Sequence, residues 1–276
     1  MAGDRVILYG KGGVGKTETT TTILKNPDFK GRLIYLMTEA NSLPSVKNGL
    51  ARNKIEIEEG DILYVYPKPK TAGFGDLVRS VTNYQEETKK AALSGRNDTT
   101  QGKENYKYFG EIFNNLVAFE GTCLATGKKI KLGSVDNFKP EDVLIIDGLS
   151  PISHEIWLSH IGDKVAISMT DYTPPQHTMN KVMQAIQRVP CHVIMLAHEK
   201  QIIDDDVIKF DAVVNTGVGN ATYEQIMGCW TEVVHLYKLG TSYKMEGAKN
   251  KVYTITRKIP AETNLNQDLS KYGLFV

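Results

Sequence analysis

Eight residues near the N-terminus, Gly10-Lys11-Gly12-Gly13-Val14-Gly15-Lys16-Thr17, carry the groups that hold a polyphosphate. Glycines allow the torsions and the close approach by which successive backbone N–H groups converge on one anion. Lys16 adds an ammonium for the β- and γ-phosphates, and Thr17 a hydroxyl for Mg²⁺. The pattern G-x-x-x-x-G-K-[ST] fixes four positions, and chance supplies it in roughly one chain in a hundred of this length. The same run contains Gly10-x-Gly12-x-x-Gly15, the turn of a dinucleotide-binding fold. That alternative has Glu39 where a ribose-binding acid would sit, but gives Lys16 and Thr17 no role. Asp147 decides for the phosphate loop. Four apolar residues, Val143-Leu144-Ile145-Ile146, lead to an aspartate at a strand end, where its carboxylate completes an Mg²⁺ site with Thr17. The expected nucleotide contacts are Gly10, Lys11, Gly12, Gly13, Val14, Gly15, Lys16, Thr17 and Thr19. The expected metal ligands are Thr17 and Asp147.

Positioning these residues takes strands that end together. "RVILYG" reads as a buried strand and "KTETTTTILK" as a helix start, despite the poor helix propensity of threonine. "RLIYLMTE" (32–39), "DILYVYP" (61–67), "DVLIIDGLS" (142–150) and "CHVIMLAHE" (191–199) read as further strands. Alternation with helical segments implies an α/β fold with a mainly parallel central sheet. "PPQHTMNKVMQAIQRV" is a helix opened by Pro174 and Pro175. "KVAISMT" reads as an extended piece. Residues 68–140 are less regular. Helical spacing recurs at Leu77, Val78, Val81, Tyr84 and Thr88, and at Phe109, Ile112, Phe113, Leu116 and Val117. "SGRNDTTQGKEN" reads as a polar linker and "TGKKIKLG" as a small hairpin or loop. "VVHLYKLG", "SYKM" and "KVYTITRK" read as an antiparallel set toward the C-terminus.

The bulk numbers exclude several classes. Formal net charge is +1, so no global field draws the chain to nucleic acid or membrane. Cys123, Cys191 and Cys229 are widely spaced and odd in number, against a disulfide framework or zinc site and in favour of a reducing cytoplasm. No apolar run approaches the ~20 residues of a membrane span.

The stretches "LIYLMTEANSL" and "DYTPPQHTMNKVMQAIQRVPCHVIMLAHEK" resemble those of phage-encoded RecA-like ATPases, a group that includes recombinases linked to single-strand annealing. "TYEQIMGCWTEVVHLYKLG" and the following "YKMEGAKNKVYTITRKIP" resemble their strand-rich end. The resemblance implies one RecA-like ATPase domain over 1–276, with an insertion at about 68–140. It implies ATP and Mg²⁺ as ligands, a homo-oligomer in the host cytoplasm, no membrane contact, and partners that include single-stranded DNA and a phage single-strand-binding or annealing protein. Catalysis would fall to Lys16, Glu39, Asp147 and His198. Glu39 would orient the attacking water and His198 would sense the γ-phosphate. Arg257 or Lys258 would be a finger reaching a neighbouring subunit. Residues 201–222 occupy the place of a DNA-binding loop, yet Asp204-Asp205-Asp206 is acidic. Basic clusters lie instead at Lys128, Lys129 and Lys131, and at Lys249, Lys251, Arg257 and Lys258. Tyr106, Tyr108 and Phe109 suit either base stacking or packing of a helix.

Lys11 through Thr17 also resembles the phosphate loop of the ParA/MinD partition ATPases, whose first lysine crosses a nucleotide-sandwich dimer. "MTEANS" stands where that family's second strand carries aspartates. A third class is a nucleotide-gated binding module with little turnover.

Overall fold

The computed structural model describes residues 3–67, 108–162, 168–204, 207–217, 223–247 and 252–276. Among these, ten strands form one sheet. In chain order they are β1 (Arg5–Tyr9), β2 (Leu33–Met37), β3 (Ile62–Val65), β4 (Phe119–Cys123), β5 (Lys129–Gly133), β6 (Val143–Asp147), β7 (His192–Ala197), β10 (Glu232–Leu239), β11 (Ser242–Glu246) and β12 (Leu265–Asn266). The spatial order is β12-β11-β10-β1-β7-β6-β2-β3-β4-β5. The six central strands, β10 to β3, run parallel, while β4–β5 at one edge and β11–β12 at the other are antiparallel. A separate ribbon, β8 (Glu199–Asp204) with β9 (Val207–Val214), leaves the sheet directly after β7.

Helices cover both faces of the sheet, and for that reason the central strands are apolar without alternation. Residues 143–146 of β6 are all buried, each contributing roughly 1.5–3 kcal/mol. Successive residues face opposite layers. Leu144 and Ile146 pack with α3 (Tyr108–Val117), α4 (Leu149–Ile161), α5 (Thr173–Arg188) and α6 (Tyr223–Met227). Val143 and Ile145 pack with Ile23, with Val46 and Leu50 of α2 (Ser42–Asn53), and with Leu269, Leu274 and Phe275 of the C-terminal tail.

The threonine-rich helix start forms α1 (Lys16–Thr20), which tightens into a 3₁₀ turn over Thr21–Lys25. Its β-branched residues are held by their own hydroxyls. Thr20, Thr21 and Thr22 each donate to the carbonyl three residues back at 2.7 Å. Such back-bonding stabilises an inward-facing threonine while favouring a tighter turn.

Several expectations take a different form. The end of "KVAISMT" is not extended: Met169–Tyr172 is a 3₁₀ turn closed by a capping box of Ser168 and Asp171. β10 pairs antiparallel with β11 but parallel with β1. "KVYTITRK" supplies two isolated bridges, Ala212↔Val252 and Val233↔Ile255, rather than a strand. The part of 201–222 that is described is mostly β8–β9 ribbon, not loop. "TGKKIKLG" does form the turn and second strand of the β4–β5 hairpin, and Ile112 and Leu116 are buried on α3. The helical pattern of 77–88, the polar linker 94–105, Tyr106, Lys249 and Lys251 lie outside the described residues. Among the described residues no helix is long and apolar enough to cross a membrane.

Candidate functional site

The parallel register brings the functional residues to one edge. Met37, Asp147 and Leu196 lie side by side, as do Tyr9 and Ala197. Gly10, Glu39, Asp147 and His198 therefore leave their strands at the same end of the sheet, where ligands of open parallel sheets bind. Strand β7 lies between β1 and β6, so His198 emerges between the phosphate loop and Asp147.

The loop begins where β1 passes β10. A side chain at Gly10 would put its Cβ 2.1 Å from the Leu236 carbonyl oxygen, so only glycine lets the chain turn there. Lys16 at the start of α1 folds back over the loop, donating to the Gly10 and Lys11 carbonyls at 2.9 Å each. Burial lowers its pKa, opposed by the charges of Glu39, Asp147 and Glu199. A desolvated ammonium held on neutral carbonyls has much to gain from an arriving phosphate.

Thr17 Oγ1 donates to Asp147 Oδ2 at 3.1 Å. The Asp147 carboxylate is buried, and its pKa is raised. Burial is the main cause and the charge of Glu39 adds to it, while Ser42, Thr17 and Lys16 pull the other way. Ser42, at the start of α2, faces this carboxylate closely enough to lower its pKa, yet its buried hydroxyl is too poorly aligned to make a hydrogen bond. Two hydroxyls, one of them orphaned, and an under-compensated carboxylate are all hard donors. They fit Mg²⁺, which takes one or two protein ligands plus waters and phosphate oxygens. Among the described residues no group of three or more His, Cys, Asp or Glu side chains forms a metal cage.

Glu39 and His198 meet across the strand ends, with Oε1 3.3 Å from Nε2, and both are partly exposed. Thr38 fixes the base of Glu39, its amide and hydroxyl both donating to the Asp147 carbonyl at 3.1 and 2.7 Å. Beside them is an open cleft of about 500 Å³ lined by Lys11, Gly12, His198, Glu199, Lys200 and Gln201. Glu199 connects Lys11, at 3.9 Å, to His235, at 2.8 Å. The other ring nitrogen of His235 reaches Glu246 at 2.7 Å. Burial alone would lower the His235 pKa; its two carboxylate partners reverse this and raise it.

The remaining expected residues are placed elsewhere. The Thr19 side chain turns away from the loop, its hydroxyl 2.8 Å from both the Gly15 carbonyl and Gln267 Oε1. Its backbone N–H is taken by the Gly15 carbonyl. Lys258 lies at the opposite end of the sheet, paired with Asp4 at 2.9 Å, and Arg257 is exposed nearby. Neither reaches the phosphate loop of its own chain. In the Lys128–Lys131 cluster, Lys128 pairs with Glu59 and Lys131 with Glu120. Thr38, Ser42, Glu199 and Gln267 carry no sequence motif. The first three were findable only as polar neighbours of Glu39 and His198.

A phosphate loop on a parallel sheet, with an acid on a separate strand beside the loop threonine, defines a P-loop nucleotide-binding ATPase. A family model described as an AAA domain matches residues 2–251, and the chain belongs to that family. A comparison with curated proteins finds none that matches.

Proposed function

We propose that the chain is a RecA-like ATPase of phage type that couples ATP binding and hydrolysis to self-assembly on single-stranded DNA. The observation that carries the enzymatic half is the 3.1 Å contact of Thr17 with Asp147, beside the Glu39–His198 pair. The amides of the loop up to Gly15 hold the β-phosphate. Lys16 leaves the Gly10 and Lys11 carbonyls and moves onto the β- and γ-phosphates. Thr17 and Asp147 would hold Mg²⁺, with the Ser42 hydroxyl as a further hard donor beside them. Bound there, the metal neutralises charge on the phosphate oxygens. Glu39 accepts a hydrogen bond from the attacking water and turns its lone pair toward the γ-phosphorus. His198 fixes the Glu39 carboxylate and faces the γ-phosphate. Ribbon β8–β9 starts one residue later, so loss of the γ-phosphate is felt at its base. Arg257 or Lys258 acts only on a neighbouring copy.

Glu39→Gln tests the reading. ATP affinity is expected to stay within about twofold and hydrolysis to slow at least about tenfold. Hydrolysis at the native rate removes Glu39 from the reaction. The DNA half rests on the resemblance of 171–200. Salt-titrated binding to single- and double-stranded DNA with ATP present decides it, and no affinity at low salt rejects it. A second reading, the nucleotide-sandwich dimer, is favoured by one observation: the Lys11 side chain is 80% exposed at the loop tip. Solution mass with ATP separates a closed dimer from a growing assembly.

A further inference from the structure

A phosphate loop can aim its N–H groups inward only if its carbonyls turn outward, and those that meet protein rather than water need donors. Between Gly10 and Val14, three loop carbonyls have side-chain donors. Lys16 serves Gly10 and Lys11, whereas the Val14 carbonyl accepts from Gln267 Nε2 at 3.0 Å, across 253 residues of sequence. The two donors differ in kind. Lys16 has to leave its carbonyls to meet a phosphate; Gln267 has no such second task.

The carboxamide of Gln267 is fixed on every side. Nε2 also donates to the Lys244 carbonyl on β11 at 2.8 Å, and Oε1 lies 2.8 Å from the Thr19 hydroxyl. Two carbonyls on one side and a hydroxyl on the other determine which way the amide faces. Gln267 is packed as well as bonded. A Cβ built on Gly15 would lie 2.9 Å from Gln267 Oε1 and 2.9 Å from the Tyr243 ring. One side chain thus joins the phosphate loop, the first helix and β11.

The tail that carries Gln267 is anchored without it. Asp268 pairs with Lys25 at 2.5 Å, the Leu269 amide donates to the Thr22 hydroxyl at 2.8 Å, and Leu269, Leu274 and Phe275 are buried. Exchanging the carboxamide leaves those contacts in place, so loop bracing and tail docking are separable. Gln267 also lies beyond the residues matched by the family model, which end at 251.

We infer that Gln267 is a positioning residue for nucleotide binding: it holds the Val14 carbonyl outward and so pre-forms the loop that receives the triphosphate. This rests on the ATP-binding reading above. A loop that has to order itself on binding loses affinity, here by about tenfold.

The test uses the full chain and ATP. Gln267→Met keeps length and bulk but removes donors and acceptor. Gln267→Glu keeps an acceptor for Thr19 and sets an oxygen against the two carbonyls. Leu269→Ala loosens the tail without touching the amide. For Gln267→Met, ATP Kd and KM are expected to rise about tenfold with kcat within about twofold. Backbone amides 14–20 of the nucleotide-free protein are expected to exchange hydrogen faster. Gln267→Glu should bind ATP at least as weakly. Leu269→Ala should lower Tm and leave ATP affinity within about twofold. Native affinity and unchanged loop exchange in Gln267→Met overturn the inference. So does an equal affinity loss in Leu269→Ala, which would make the tail's role structural only. If Gln267→Met does not fold, Gln267→Glu is judged by the same two readouts. If the native chain binds no ATP, the proposed function fails, and loop exchange alone still decides whether Gln267 braces the loop.

Discussion

Both ends of the parallel sheet carry buried carboxylates, and they are treated in opposite ways. At the end where the strands begin, Asp142 is fully buried and accepts from the Arg32 amide, from Arg32 Nε and guanidinium at 2.9 and 2.6 Å, and from the Lys139 amide. Asp4 is ringed by His192, Lys258 and the Phe275 amide; burial would raise its pKa, but these partners hold it far below the usual range. Glu232 accepts from the amides of Arg257, Lys258 and Ile259. Buried Arg5 gives its terminal nitrogens to five carbonyls, among them Cys191 and Val189 at 2.7 and 2.6 Å. At the end where the strands finish, Asp147 is raised, Ser42 is orphaned and Lys16 rests on neutral carbonyls. At the first end the carboxylates are matched, although Arg5 Nε is buried without a partner; at the other, where Glu199, His235 and Glu246 satisfy one another, Asp147 and Ser42 are left short. The shortage marks where a ligand supplies the missing charge.

Variants at the two ends break this comparison in different currencies. The largest effect is expected for Lys16→Ala, which removes the ammonium from the loop. ATP binding or turnover should fall below detection by equilibrium titration and phosphate release, with little change in fold by circular dichroism. Next is Asp142→Ala, which strands Arg32 at the satisfied end. Stability in urea should drop by roughly 3 kcal/mol, the range for breaking a buried pair, while ATP affinity of the folded fraction stays native. Third is Asp147→Asn. An acid whose folded pKa is raised opposes folding at neutral pH, so its neutral analogue should raise the Tm of the nucleotide-free protein. The same variant should lose Mg²⁺-dependent hydrolysis. A lowered Tm would contradict the unequal treatment of the two ends.

The smallest effect concerns His235, held between Glu199 and Glu246. Its folded pKa is raised above 6.5, so its stabilisation is complete below that value and is lost as pH rises through the folded pKa. Urea midpoints measured from pH 6 to 9 should decline on the alkaline side in the native chain, and less steeply in His235→Gln. An equal slope in both would assign the decline to other groups.

Much of the site is legible locally. The phosphate loop, the apolar run into Asp147, and the strands ending in Glu39 and His198 are each contained in ten or so residues, and backbone geometry alone forces their form. Other elements were less accessible. Ribbon β8–β9 is ordered by cross-strand pairing, and its buried residues Ala212, Val213 and Val214 are consecutive rather than alternating, so no period announces it. "KVYTITRK" has the composition of a strand, but among the described residues it forms only the isolated bridges of Val252 and Ile255. Gln267 carries no pattern at all, because one amide reaching a distant carbonyl leaves no trace in spacing.

The sequence by itself determined which residues can hold a phosphate chain and a metal, since those demands concern torsions and functional groups within short runs. Only the tertiary structure decided which of them act together. The insertion of β7 between β1 and β6 aligns four strand ends, and the docking of the tail sets Gln267 under Val14. Both depend on contacts between segments far apart in the chain, where partner and register are chosen by the packing of the whole sheet.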